Sequence, residues 1–401
     1  MNGKTPFPRL LDVMGRIGLV VGVIGLLIVL TTLAGNEDLF FQCYLGGWVF
    51  WISLTVGCYG LMLLQNLLRA QWGVPVMRLF EAGAKMMPYM GLAFLPIIYA
   101  AYTGHLYPWA DANQVAHDPV LRYRHAYMNP FLFMIRNVVY FTVFSLTTLL
   151  LTKLSREQDR TGDPKLAQSR SEISAPSFVV MVMLVTFGVT DWMMSLDPHW
   201  YSTIYGFWFC IGAAGFAMAF VTTLTSLMRM ARVEPYNTLV NRVVLKDFGN
   251  LLLMMTLVWA YFSVSQYLIT WSGNLSEEVI YYIKRNAGLL AWVSSTMVMI
   301  RFFIPFLMLL SSKTKRTPIL LICTCLILIL GHIIESAWNI IPMFHALHAG
   351  LLAQFEGFGY YVAAWIGIGG LWLFGFVNTV RRNPLVPVGA VEPTEVLQHA
   401  S

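Results

Sequence analysis

The sequence predicts an all-α polytopic membrane protein with about ten transmembrane helices, and three observations carry that prediction. Apolar residues make up 57% of the 401 and charged residues only 11%, against roughly 25% charged in soluble domains, so most of the chain cannot face water. Ten apolar stretches reach the ~20 residues an α-helix needs to cross a ~30 Å hydrocarbon core. The Lys and Arg between them alternate. The N-terminal segment, the even-numbered loops and the C-terminal tail hold 20, and the odd-numbered loops hold 4. That bias predicts a multi-pass membrane protein with both termini in the cytoplasm. The alternating ten-residue segments of a membrane β-barrel are absent from the sequence.

The spans are expected at about 14–34, 45–69, 86–103, 131–152, 176–196, 202–229, 247–270, 286–311, 319–341 and 359–380. The first is long enough to span and lacks a small-residue cleavage site, so it reads as a helix and not as a removed signal. The third is the shortest and carries Pro88 and Pro96, but the charge alternation requires it. Loop 153–175 reads as a solvated cytoplasmic linker, and the tail 383–401 as cytoplasmic. The net charge of +6 is assigned to topology and not to nucleic acid. On the opposite side, loop 104–130 carries Trp109, three histidines, Asp111, Asp118, Arg122 and Arg124. Segment 342–358 carries His345, His348 and Glu356. Trp48, Trp109, Trp200, Trp271 and Trp338 are placed near that boundary as an aromatic belt would be. Long ordered loops usually have a task, here the docking of extramembrane partner subunits, with belt residues and loop padding as the alternative. The five cysteines have no metal-ligand spacing; Cys323 and Cys325 point to different helix faces. No metal is expected on this chain, and no bis-histidine haem, since only His332 lies clearly inside a span. Phosphate-binding and nucleophile motifs are absent from the sequence as well.

Charges inside a membrane are expensive and are functional candidates by default. Arg136, Asp191, Arg301, His332 and Glu335 stand out, with Gln266 and Asn339 as companions. At 1.5 Å per residue, Arg136 and Asp191 lie ~25 and ~22 Å above the inner ends of their spans, so they can meet at one depth in the outer half. His332 and Glu335 are three apart on span nine and share a face. Arg301 is placed to reach His332, and less easily Glu335. The pattern repeats: Met134-Ile135-Arg136 in span four and Met299-Ile300-Arg301 in span eight, Asp191 seven residues before Pro198 and Glu335 seven before Pro342. A shift of four spans preserves helix direction and predicts two four-helix bundles, spans 2–5 (45–196) and 6–9 (202–341), with two flanking helices. Structurally, each acid can simply neutralise its arginine. Functionally, carboxyl and imidazole groups can pass protons when burial moves their affinities toward neutrality, which makes Asp191, His332 and Glu335 relay candidates, with Arg136 and Arg301 tuning them. A secondary transporter is the alternative from another class.

Two runs carry a family resemblance: T-D-W-M-M-S-L-D-P-H-W-Y-S-T-I-Y-G (190–206) and L-K-D-F-G-N-L-L-L-M-M-T-L-V-W-A-Y-F-S-V-S-Q-Y-L-I-T-W-S-G-N-L-S-E-E (245–278). Both resemble the F subunits of bacterial alternative complex III, a quinol:cytochrome c oxidoreductase, which group with the NrfD-like membrane anchors of polysulfide reductases. The resemblance covers nearly the whole chain and agrees with the ten-span count. It implies a membrane subunit of a quinol-oxidising respiratory or photosynthetic electron-transfer complex, with no cofactor of its own. Quinol (menaquinone is the expected form), iron–sulfur clusters and haem c would be handled by other subunits. The implied partners are a homologous membrane sister subunit, periplasmic iron–sulfur and multihaem cytochrome c subunits, and lipids. The implied role is structural, with a proton half-channel, and a subunit that itself binds quinol is an alternative. Asp197 and His199 in the first run are further proton-exit candidates, although Asp197-Pro198 also reads as an ordinary helix-ending turn. No quinone-binding residue can be placed.

Overall fold

Proline, asparagine and glycine set where the helices begin and end. The computed structural model describes residues 6–288, 290–344 and 357–387; His345, His348, Glu356 and residues 388–401 of the tail lie outside them. Among the described residues ten helical stretches are long and apolar enough to cross a membrane: Leu11–Ala34, Glu37–Leu68, Met77–Thr103, Pro130–Thr161, Pro164–Leu196, Tyr205–Met230, Arg242–Gly273, Leu290–Leu310, Pro318–Met343 and Phe358–Arg381. The protein is an all-α polytopic membrane protein. An even number of crossings puts the first and last spans' free ends on one side, the terminal side; the opposite one is the far side.

Helix α1 is Pro6–Leu30 and α2 is Glu37–Leu68, whose N-cap Asn36 accepts from the Leu39 amide. The third span is three pieces, α3 Met77–Ala84, α4 Met87–Leu92 and α5 Leu95–Thr103. Pro88 and Pro96 sit in the first turns of α4 and α5, where a missing N–H costs nothing. The span also begins at Met77, not near 86, because the charges of Arg78 and Glu81 turn inward and are buried. Two short far-side helices follow, α6 Ala112–His117 and α7 Pro119–Arg124, capped by Asp111 and Asp118. Then come α8 Pro130–Thr161 and α9 Pro164–Trp192, joined by Gly162 at φ 70° and the cap of Asp163. The expectation of a solvated linker at 153–175 is therefore corrected: both helices run through it, and Ser155 and Ser174 are buried. Its polar residues are spaced helically and pair with charges of α3, which a hydropathy reading treats as loop.

The second half runs α10 Tyr205–Met230, α11 Tyr236–Leu239, α12 Arg242–Gly273, α13 Ser276–Arg285 and α14 Leu290–Val298. A π-helical turn, Met299–Phe303, joins α14 to α15 Ile304–Leu310. Then follow α16 Ser312–Arg316, α17 Pro318–Ile340 and α18 Phe358–Arg381. α2 packs against the third span and α9, and α8 against α9 and the third span; α10, α12, α15 and α17 pack together in the same way. α2 also packs on α10, α17 and α18. With 89% of its apolar window buried, it is the central post of the molecule and not one wall of a bundle. α1 and α18 pair along a glycine seam: a Cβ on Gly25 would stand 2.7 Å from the Ala363 carbonyl oxygen, and one on Gly22 2.9 Å from the Leu371 nitrogen. Small residues are what let membrane helices approach this closely.

The expected tryptophan belt is also corrected. Trp48, Trp109, Trp200 and Trp338 are buried, and only Trp271 of the five is exposed. Trp48 donates to the Met90 carbonyl at 2.9 Å, beside the break between α4 and α5, and packs edge-on against Trp192 at 5.0 Å. The four rings fill the far-side core by packing; Trp48 also supplies a donor to a carbonyl beside the broken helix, and Trp338 donates to the Ser294 hydroxyl at 2.7 Å.

Candidate functional site: two arginine–carboxylate pairs and a neighbouring cleft

Arg136 lies two turns into α8, and Asp191 one residue from the end of α9, so both stand near the far-side ends of adjacent helices. Arg136 grips the carboxylate with two hydrogen bonds, Nε to Oδ2 at 2.9 Å and Nη2 to Oδ1 at 2.8 Å. The Tyr140 hydroxyl donates to Oδ2 at 3.0 Å. The guanidinium also lies 3.8 Å over the Tyr127 ring and donates to the Tyr127 carbonyl at 2.8 Å. Burial, helped by the charge of Asp191, pushes the Tyr127 hydroxyl up to about 12. Asp191 is fully covered, whereas the Arg136 side chain keeps 17% of its surface exposed.

The second site is deeper and larger. Arg301 sits within the π turn and is buried. Its Nε stands 3.0 Å from Glu335 Oε2, an ion-pair contact without the alignment of a hydrogen bond, and its Nη2 lies 3.2 Å from His332 Nδ1. His332 Nδ1 is in turn 3.1 Å from Glu335 Oε2. The sequence expectation that Arg301 reaches Glu335 less easily than His332 is corrected: it touches both. The π turn explains this, since an i→i+5 bulge widens the helix and rotates the following side chains. Arg301 also donates to the Leu328 and Gly212 carbonyls at 3.1 and 3.3 Å. Gly331 makes room for it, since a Cβ there would press to 3.0 Å on the Arg301 Cα. Trp259 donates to Glu335 Oε1 at 2.5 Å, and the other ring nitrogen of His332 lies 2.9 Å from the Ser53 hydroxyl on α2. Phe50 and Phe216 flank the imidazole.

Asp197 and His199 join neither site. Asp197 Oδ2 accepts from Lys284 at 2.9 Å, tying the end of span five to α13. His199 Nε2 lies 2.7 Å from Asp118 Oδ2, tying the same turn to α7. Burial alone would raise the Asp118 carboxyl, but the Val120 amide and the His199 ring outweigh it and hold it below its ordinary range. Gln266 accepts from the Ser202 hydroxyl at 2.5 Å, so the two sequence runs singled out above meet directly. Asn339 accepts from the Tyr281 hydroxyl at 3.0 Å and donates to the Glu335 carbonyl at 2.9 Å.

Three features escaped the sequence reading. Arg285 is 1% exposed, lies 3.4 Å over the Tyr281 ring and donates to the Trp338 and Asn339 carbonyls; burial lowers its proton affinity. On the terminal side, Arg78 pairs with Glu81 at 2.5 Å and with Asp159, and bonds Ser155 at 2.9 Å, which Arg170 approaches at 3.3 Å. The third is a far-side cleft of about 370 Å³ between spans seven and eight, walled by Tyr205, Trp208, Trp259, Tyr281 and Trp338. The aromatic spacing in 200–208 and 259–267 was its only sequence signal. Among the described residues no three His, Cys, Asp or Glu side chains are grouped to hold a metal ion.

No family model matches the chain, and no curated protein matches it. The chemistry of the site therefore stands on its geometry: two buried carboxylates, each fixed by an arginine, one of them joined to an imidazole.

Proposed function

We propose that the chain is an integral membrane subunit of a quinol-oxidising electron-transfer complex like alternative complex III, non-catalytic itself, structural, and contributing a proton half-channel on its far side. The observation that carries this reading is the Arg301–His332–Glu335 cluster. An imidazole and a carboxylate share a contact inside the hydrophobic core, where only a role tied to charge repays the cost of burying them. The arginine cannot carry protons but sets the charge balance that the other two titrate against. Asp191, gripped by Arg136 near the far-side rim, is the second relay group. Asp197 and His199 each hold a salt-bridge partner, which suits anchors of the far-side turn better than carriers. The lysine and arginine bias supports a cytoplasmic terminal side, and on that reading the far side is where quinol oxidation would release its protons. Haem c and iron–sulfur partners would dock there, on the 104–130 segment.

Two experiments test the reading. Gentle purification from native membranes is expected to bring multihaem and iron–sulfur subunits with the chain; recovery of a colourless single chain overturns the assignment. In the intact complex, Glu335→Gln and Asp191→Asn are expected to reduce the protons translocated per quinol while subunit composition holds. Normal translocation in both variants overturns the relay.

A further inference from the structure

α1 and α18 fit closely over most of their seam and part at the terminal side. A Cβ on Gly25 would stand 2.7 Å from the opposite backbone, one on Gly22 2.9 Å and one on Gly18 3.1 Å. At Gly15 the nearest atom is a side-chain carbon of Val377 at 3.4 Å, an ordinary contact. The gap that opens there is a pocket of about 310 Å³. Its polar walls are Asp12 and Arg16 on α1 and Asn378 and Arg381 on α18. Each pair is spaced by about one helical turn, so its two side chains share a face.

The charges in the pocket do not balance. Arg381 Nη1 pairs with Asp12 Oδ1, which neutralises both. Among the described residues, neither the Arg16 nor the Asn378 side chain has a hydrogen-bond or ion-pair partner. The lining therefore carries one uncompensated positive charge, on Arg16. The Asn378 amide and the remaining N–H groups of Arg381 are further donors. A guanidinium with its fork unmet is matched by a phosphate, which it grips through two oxygens. Depth then selects the source of that phosphate. Arg16 lies ~8 Å inside the Leu11 end of span one, and Arg381 is the last residue of span ten. That is the headgroup layer, about 5–8 Å thick on each side of the hydrocarbon core. Past Arg16, Ile17, Val20 and Ile24 are exposed in one stripe along α1. Acyl chains hung from a phosphate at Arg16 would lie along it, whereas a soluble phosphate has no use for it.

We propose that this pocket binds the phosphodiester of an anionic glycerophospholipid of the phosphatidylglycerol type, with the phosphate on Arg16, Asn378 and Arg381 and the acyl chains along Ile17, Val20 and Ile24. Basic pockets between membrane helices are a recurrent way of holding such headgroups. The one spare positive charge matches the one negative charge of the headgroup. A phosphatidylcholine brings its own cation, for which the lining has only the Asp12 carboxylate that Arg381 already holds. The bound lipid bridges α1 and α18 at the end where their glycines no longer join them. The site lies apart from both arginine–carboxylate pairs and stands whether or not the chain serves a quinol-oxidising complex. The test is native mass spectrometry of the full chain in detergent, titrated with dioleoyl-phosphatidylglycerol and with dioleoyl-phosphatidylcholine, which share their tails. One phosphatidylglycerol is expected to be retained at lipid levels where phosphatidylcholine is not. Arg16→Gln is expected to weaken that binding about tenfold, the worth of one hydrogen bond to a charged group. It removes an exposed group without a partner, so helicity and elution volume should hold. Arg382→Gln, which removes an arginine outside the pocket, is expected to change nothing. Equal retention of the two lipids overturns the proposal, as does unchanged binding in Arg16→Gln. Equal losses in Arg16→Gln and Arg382→Gln overturn it too, since they would mean diffuse attraction to a basic surface. Glycerophosphoglycerol, the same headgroup without tails, is expected to leave the lipid bound; displacement at equal concentration would make this a site for a soluble phosphodiester and overturn the lipid assignment.

Discussion

The two arginine–carboxylate pairs are drawn from the same sequence pattern and have been put to different structural uses. In each, the arginine follows Met-Ile on one span and the acid lies on the next. The first pair is a rim lock. Arg136 stands on a regular helix, partly exposed, and the carboxylate it holds is completed by the Tyr140 hydroxyl. The second is a core node. Arg301 is turned inward by a π bulge, and its carboxylate shares an imidazole that reaches Ser53 on the central helix. The residue three places before each acid marks the difference. Gly188 stands before Asp191 where His332 stands before Glu335. A glycine offers no side chain to share the carboxylate, whereas a histidine turns the ion pair into a three-member cluster.

The sharpest way to break the comparison is to remove each arginine. Arg301→Ala strands a buried carboxylate and imidazole, so a loss of about 3–5 kcal/mol is expected, read by detergent-denaturation titration of the purified chain. The double variant Arg301→Met with Glu335→Met should recover most of it; a double variant as unstable as the single would mean the cost lies in packing and not in charge. Arg136→Ala should cost less, about 2 kcal/mol, because water can reach the vacated rim. Equal losses at the two sites would erase the distinction between rim and core.

The smallest effect concerns the turn that holds the rim. The Asp118 carboxyl is held below its ordinary value when folded, so its contribution is present above the unfolded value of ~3.9 and is lost as pH falls through the folded one. Hydrogen exchange in 112–124 should therefore be unchanged from pH 7 to 5 and rise below about pH 4. Exchange unchanged down to about pH 3 would show that the Asp118 carboxylate is not what holds the turn.

Much of this is legible in the sequence because a membrane leaves a helix few options. Span count, helix direction and the Arg136–Asp191 meeting follow from length, charge and a 1.5 Å rise. What escapes depends on partners. Arg78 and Glu81 look like loop charges until their pairing with each other and the reach of Arg78 to Ser155 and Asp159 on α8 are in view. Trp48 and Trp338 look like belt residues because hydropathy does not register the acceptors, the Met90 carbonyl and the Ser294 hydroxyl, that hold their indoles inside the core. The reach of Arg301 is hidden because a π turn has no sequence signature of its own. The cleft needs two helices to diverge, and divergence is a property of neighbours, not of either helix.

The glycine seam between α1 and α18 has a consequence for how the protein is made. α1 precedes α18 in the chain, so during synthesis it enters the bilayer before the surface it fits has been made. Throughout translation, Gly22 and Gly25 must face lipid with nothing in their groove, and α2 must wait for α18 as well. Assembly therefore closes like a clasp, an early helix fastened by a late one, and a chain arrested before Phe358 would hold both arginine–carboxylate pairs described above while α1 lacked the partner its glycine seam fits.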